Sequence, residues 1–158
     1  MTTSTETPSA ALARLGLTLP TAPKPVAAYV PAVRSGNLIF VSGQLPMSSG
    51  ALLATGPVPS KVSIEDAQKA AKQCALNGLA VVADQLGGDL SRVRRIVRLG
   101  VFVQSDDRFD GQPKVANGAS ELMQEVFGEA GRHARAAVGT NALPLDATVE
   151  VEMLVEVA

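Results

Sequence analysis

The chain has 158 residues and a formal net charge of −1, from 14 Lys and Arg against 15 Asp and Glu. That length fits one domain, and the balanced charge lacks the basic excess that drives nucleic-acid binding through counterion release. Hydrophobic residues make up 46% but aromatics only 3%, so a single core must be built from Val, Leu, Ile and Ala, while the 18% charged share, below the usual quarter or so, points to surface covered by partner subunits.

The opening Met1-Thr2-Thr3-Ser4-Thr5-Glu6 lacks the basic start and apolar stretch of a signal peptide. No apolar run reaches the roughly 18 residues of a membrane span. A cytoplasmic protein, with no membrane partner, is the expectation. Residues 1–8, rich in Thr, Ser and Glu, are expected to be loose. A short helix is predicted over Ala10–Leu17, and Pro23 and Pro25 hold the backbone extended after it. Residues 1–25 therefore read as a partly flexible N-terminal extension ahead of a domain spanning 26–158.

Ala27–Val33 reads as a strand, Arg34-Ser35-Gly36-Asn37 as a turn and Leu38–Ser42 as a second strand, which together form a hairpin. Residues 47–62, rich in Gly, Pro and Ser, are predicted to be a long loop with room for a short strand near 51–54. Ser63 caps a helix running to Leu86, with Glu65 and Asp66 on the positive end of its dipole. Ile64, Ala67, Ala71, Cys74, Gly78 and Val81 form its apolar stripe, and Gly87-Gly88 stops it. Cys74 is the chain's one cysteine, which excludes an intrachain disulfide, and on this stripe it is expected to be packed and inert.

A third strand is predicted over Arg95–Gln104, a second helix over Pro113–Phe127, and further strands over Ala134–Asn141 and Thr148–Val157, joined by the turn Leu143-Pro144-Leu145-Asp146. The order β-β-α-β-α-β-β gives an α+β domain, with two helices packed on one face of a mixed sheet and right-handed crossovers.

The last strand alternates strictly. Val149, Val151, Met153, Val155 and Val157 face the helices; Glu150, Glu152, Leu154 and Glu156 face away. Arg135 lies in the preceding predicted strand. If the two strands pair across their short turn, Arg135 lies further along than the partner of Glu150 and a direct salt bridge is not assured, but the two can line one cavity closed by neighbouring subunits, with the arginine binding a carboxylate bidentately and the glutamate handling protons. Surface charge is the ordinary alternative for both, and solvent exposure is the expectation for Glu152 and Glu156. No cluster of metal-ligating residues occurs, and the lone His133 and lone Cys74 make no convincing Cys/His unit.

Four stretches carry a resemblance. They are Tyr29 with its flanking strand; Ser35-Gly36-Asn37-Leu38-Ile39-Phe40-Val41-Ser42-Gly43-Gln44-Leu45-Pro46; Ala134-Arg135-Ala136-Ala137-Val138; and Leu143-Pro144 leading into Val149-Glu150-Val151-Glu152. In this order, over about residues 26–158, the chain resembles the RidA family, also called the YjgF family. The resemblance implies a chorismate-mutase-like α+β fold assembled as a homotrimer, with clefts between subunits. It implies hydrolytic deamination of enamine/imine intermediates such as 2-aminoacrylate to 2-keto acids and ammonia, without a cofactor or a metal.

Carried over to this sequence, Arg135 would clamp the carboxylate of a small-molecule substrate and Glu150 would activate water. Tyr29 would contact the substrate near its nitrogen, Ser42 and Gly43 would line the pocket floor, and Asn117 would close the cleft. The chain departs from the family pattern at Ala27-Ala28 (often Gly-Pro), His133 (often Pro) and Ala137 (often Cys), and it has a longer 47–62 loop, which marks a divergent subgroup. Two other readings stay open. One is a non-catalytic, small-carboxylate-binding regulatory trimer. The other is a single-strand endoribonuclease, the activity in the family's older name, endoribonuclease L-PSP; near-zero charge, few aromatics and a single histidine weigh against it.

Overall fold

Pro31 decides where the sheet begins. It has no N–H to donate and restricts Val30 before it. In the computed structural model, which describes residues 6–24 and 27–158, the first strand is therefore β1, Ala32–Ser35, and not Ala27–Val33; residues 27–29 bend instead. The turn shortens accordingly. Ser35 pairs with Leu38 of β2 (Leu38–Gln44), leaving only Gly36 and Asn37 between them. Gly36 takes φ 59°, the positive value that a two-residue hairpin loop asks of its first position. In the Gly/Pro/Ser-rich segment, β3 (Met47–Ser48) and β4 (Ala51–Leu52) form a small separate ladder.

Ser63 caps α2, Ile64–Gln85, with its side chain accepting from the Asp66 N–H at 3.1 Å. Ala67, Ala71, Cys74 and Val81 are all buried on the predicted stripe. β5 spans Val93–Gln104, α3 Gln112–Phe127, β6 Ala134–Thr140 and β7 Val149–Val157. The sheet order is β1-β2-β7-β5-β6, with β6 parallel to β5 and the other pairs antiparallel. Both long helices contribute buried side chains to one core against the sheet.

The last two strands do not pair. The crossover through α3 lays β6 parallel beside β5 at the sheet edge, so β7 must pass over β5 to reach its slot. β7 alternates buried and half-buried residues throughout, with Val149, Val151, Val155 and Val157 inaccessible on the helix side. A central position, paired on both edges, suits that strand better than β6, whose side chains are mostly small.

The N-terminal helix α1, Pro8–Arg14, starts two residues earlier than its predicted bounds and ends three earlier. Thr7 caps it by accepting from the Ala10 N–H, so Thr7 and Pro8 belong to ordered structure rather than to a loose leader. Leu12 enters the main core, and Arg14 Nη2 donates to the Glu125 carbonyl on α3 at 3.3 Å. The remaining part of the expected loose segment, residues 1–5, and the boundary at Pro25 and Val26 lie outside the described residues. Among the described residues no helix is long and apolar enough to cross a membrane.

Among the described residues, no helix covers the sheet face opposite α2 and α3. Val33, Phe40 and Val138 on it are 54%, 48% and 46% exposed.

Candidate functional site

Glu150 owes its position to a bulge. Between the pairs Val41–Met153 and Gln44–Val151, two residues of β2, Ser42 and Gly43, oppose one residue of β7. Gly43 is thereby brought beneath the Glu150 side chain. A Cβ there would overlap Oε1 and lie 2.9 Å from Cδ, so only glycine leaves room for this carboxylate. Glu150 is half-buried and makes no ion pair among the described residues. Burial pushes its carboxyl above the ordinary value, and the nearby Glu152 adds to the effect. Glu152 itself is paired with Arg98 Nη1 at 3.5 Å, which separates it from Glu150 as a candidate.

The Ser42 hydroxyl donates to the Val30 carbonyl at 2.8 Å, and the Ser42 N–H donates to the Pro31 carbonyl at 2.9 Å. Ser42 thus ties the segment carrying Tyr29 to β2. Tyr29 is exposed and, with Gly43, Gln44, Leu45, Met47 and Leu145, lines a cleft of about 250 Å³. Leu145 is 72% exposed at φ 57°. Sequence reading gave it only a place in a turn, and nothing in the sequence announces an exposed leucine held in a left-handed conformation at a cleft.

Arg135 sits on the other side of the sheet. It pairs in register with Leu99, a buried residue of the helix face, and its side chain reaches α3. Nη1 donates to Asn117 Oδ1 at 2.8 Å and to Ser120 Oγ at 3.1 Å. Both acceptors are neutral, and among the described residues no carboxylate lies within ion-pair distance. Arg135 is exposed, its charge has no ionic partner among the described residues, and its Nε and Nη2 edge has no acceptor among them. That edge matches a carboxylate bidentately.

Ser120 Oγ also lies 2.8 Å from His133 Nε2, and His133 Nδ1 lies 2.7 Å from the Gly131 carbonyl. Neither Ser120 nor His133 was among the sequence candidates. Ser120 follows Asn117 by three residues on a helix, a spacing that puts both on one face, and that signal could have found it.

Within one chain Arg135 and Glu150 do not meet, and the antiparallel pairing of their strands that the short turn suggests does not form. Glu150 is level with Phe102 and Val138, whereas Arg135 is level with Leu99 and Met153. The offset of three residues and two strand widths separates their Cα atoms by roughly 14 Å. Because three is odd, the two side chains also point to opposite faces of the sheet. β5, inserted between their strands, is the cause. Of the predicted residues, Glu150, Gly43, Ser42 and Tyr29 gather on one side, and Arg135 and Asn117 on the other.

Cys74 is fully buried, its thiol 3.6 Å from the Val149 carbonyl, and burial raises its pKa well above the ordinary thiol value, with Glu150 adding to the shift. Among the described residues no group of three or more His, Cys, Asp or Glu side chains could hold a metal ion.

Residues 9–157 match the family described as "YjgF/chorismate mutase-like, putative endoribonuclease". Protein TCP17 of Trypanosoma cruzi is 48% identical over 149 residues, 94% of this chain and 92% of that protein. The 2-iminobutanoate/2-iminopropanoate deaminase of Dermatophagoides farinae is 29% identical over 140 residues, 88% of this chain and 93% of that protein. A solved structure of a protein of unknown function from Agrobacterium tumefaciens superposes with a TM-score of 0.90 at 50% identity, covering 96% of this chain and 92% of its own. With a match running through all of its sheet and helices, and a solved relative of the same fold sharing half of its aligned residues, the chain belongs to the YjgF family, also called RidA.

Proposed function

We propose that the protein hydrolyses small enamine and imine carboxylates to 2-keto acids and ammonia. In this reading each reaction centre forms where the Arg135 edge of one copy meets the Glu150 face of a neighbour in a homotrimer. The observation that carries the reading is the state of Arg135, a guanidinium held by two neutral oxygens, with its charge and its Nε–Nη2 edge left for an anion. The uncovered apolar sheet face supports assembly of copies on the side that bears Glu150. The name of the Dermatophagoides farinae relative supports the reaction class.

The chemistry follows from these groups. Protonation of an enamine at its β-carbon gives the imine, whose carbon is electrophilic and more so when the nitrogen carries a proton. Arg135 binds the substrate carboxylate and fixes the imine carbon in place. Water adds to that carbon while the Glu150 carboxylate accepts its proton. The same proton then passes to the nitrogen, and as the C–N bond breaks the freed Glu150 carboxylate takes the proton of the new hydroxyl, so that ammonia leaves and the carbonyl of the keto acid forms. A carboxyl raised by burial takes up and returns a proton near neutrality more readily than an exposed one. The reaction changes no oxidation state, so it needs no redox cofactor. Tyr29 and the cleft beside Gly43 shield the imine from bulk water.

The test couples a serine or threonine dehydratase to keto-acid formation. The protein is expected to accelerate release, and Arg135→Ala to remove the acceleration. Equal acceleration by Arg135→Ala would sink the proposal. The separation of Arg135 from Glu150 within one chain favours, as a second reading, carboxylate binding without turnover. Keto-acid binding by calorimetry with no acceleration would select it.

A further inference from the structure

The chain's only histidine takes no part in that chemistry, yet it stands at the end of a hydrogen-bond chain leading to Arg135. With a neutral imidazole, the Gly131 carbonyl sets the order of donors along this chain. The Gly131 carbonyl can only accept, so the proton of the neutral imidazole lies on Nδ1, and Nε2 is bare. The Ser120 hydroxyl has one proton, and it goes to Nε2 at 2.8 Å. Its lone pairs therefore face Arg135 Nη1 at 3.1 Å. Ser120 is 7% exposed, so water does not compete for its rotor.

The effect on Arg135 is specific. One Nη1 proton is taken by Asn117 and the other by Ser120. With both committed, the guanidinium cannot turn about its Nε–Cζ bond, and the edge left for a carboxylate is Nε with Nη2, a side-on fork. A serine free of His133 could rotate its own proton toward the cation and lose that contact. His133 stands where the family pattern often has proline, a residue that could not supply this imidazole. We propose that Ser120 and His133 are positioning residues that lock Arg135 for side-on carboxylate binding. This rests on the reading of Arg135 as the carboxylate clamp.

Two measurements test it. The first needs no substrate. Because there is one histidine, its ring ¹⁵N signals are assignable without ambiguity. They are expected to show the Nδ1–H tautomer, with the Nε2 signal moving in Ser120→Ala. In the same variant the Arg135 Nη protons, identified by their loss in Arg135→Lys, are expected to exchange positions faster. The second measurement is the kinetics of imine hydrolysis with pyruvate as the binding probe. Ser120→Ala and His133→Ala are expected to raise KM and the pyruvate Kd about tenfold with kcat changed far less, as fits loss of one hydrogen bond to a charged group. His133→Gln, which offers Ser120 an acceptor, is expected to restore most of the loss, and Ser120→Ala is expected to add nothing in an Arg135→Lys background.

An Nε2–H tautomer, or Arg135 signals indifferent to Ser120→Ala, overturns the proposal. So does an equal loss of affinity in the Arg135→Lys background, which would mark a purely structural role. If the wild-type protein shows no turnover while the spectroscopic results hold, the hydrolase reading falls and the lock on Arg135 stands. If turnover depends on Arg135 but not on Ser120 or His133, the reverse is concluded.

Discussion

Replacing Gly43 with alanine adds one methyl group beneath the Glu150 carboxylate, and the structure gives the size of the disturbance. The new Cβ would overlap Oε1 and lie 2.9 Å from Cδ and 3.1 Å from Cγ. Non-bonded carbons settle at about 3.5–4.0 Å, so the carboxyl must retreat by about 1 Å. The backbone raises no objection, because Gly43 is not among the glycines with positive φ. The obstacle is the far end of a flexible, half-buried side chain, so the stability cost should stay below about 1 kcal/mol, or a Tm change within about 4 °C. Catalysis is less tolerant, since a displacement of about 1 Å in a reacting group can cost on the order of 100-fold. Measuring kcat/KM for imine hydrolysis beside Tm separates the two effects. The expected outcome is a nearly unchanged Tm with activity down by about 10- to 100-fold. Full activity in a folded Gly43→Ala protein would refute the argument that Glu150 must occupy this position. A collapse of Tm would refute the argument that only the carboxylate has to yield.

Three further outcomes are expected. Arg135→Ala and Glu150→Gln, each inactive alone, should complement when unfolded together in equal amounts and reassembled. In a ring where each site takes its arginine from one copy and its glutamate from the next, about one site in four carries both, and about a quarter of the activity should return; no recovery would count against a shared site. For Glu150→Gln the stability effect has a definite sign. A carboxyl with a raised folded pKa contributes stability below its ordinary value, and that contribution is lost as pH rises through the folded value. The variant should therefore be at least as stable as the wild-type protein at neutral pH, with the Tm gap closing on acidification below the ordinary carboxylate range. A variant less stable at neutral pH would mean that Glu150 has a favourable partner. Finally, Leu12→Ala, at a core position in α1, should cost about 3 kcal/mol in urea unfolding; a loss under about 0.5 kcal/mol would mean that α1 unfolds independently.

The elements were legible wherever periodicity is local. The alternation of β7 and the apolar stripe of α2 with its Ser63 cap each rest on spacing within one segment, and each was found with its residues in the expected places. Pairing partners were not legible in that way. The short turn at 143–146 looks like a hairpin connection, yet it links an edge strand to a central one across β5. That outcome depends on a crossover and on competition between strands for burial, neither of which is written in any window of sequence. The same gap explains the site. Arg135 and Glu150 were identifiable from their motifs, but whether they share a face depends on the parity of a register set by β5. Ser120 and His133 escaped notice because their significance lies in contact with Arg135, which chain order does not display. Pro31 is a local signal for the start of the first strand, since it has no N–H for a ladder, and the strand begins directly after it.

The scarcity of aromatic residues has one more consequence. The chain contains a single tyrosine and no tryptophan, so all of its intrinsic near-ultraviolet emission beyond the weak phenylalanine background comes from Tyr29. That ring lies half open on the wall of the cleft beside Gly43. A molecule entering the cleft changes the environment of the protein's one fluorophore, and occupancy can be followed by titration in unlabelled, unaltered protein.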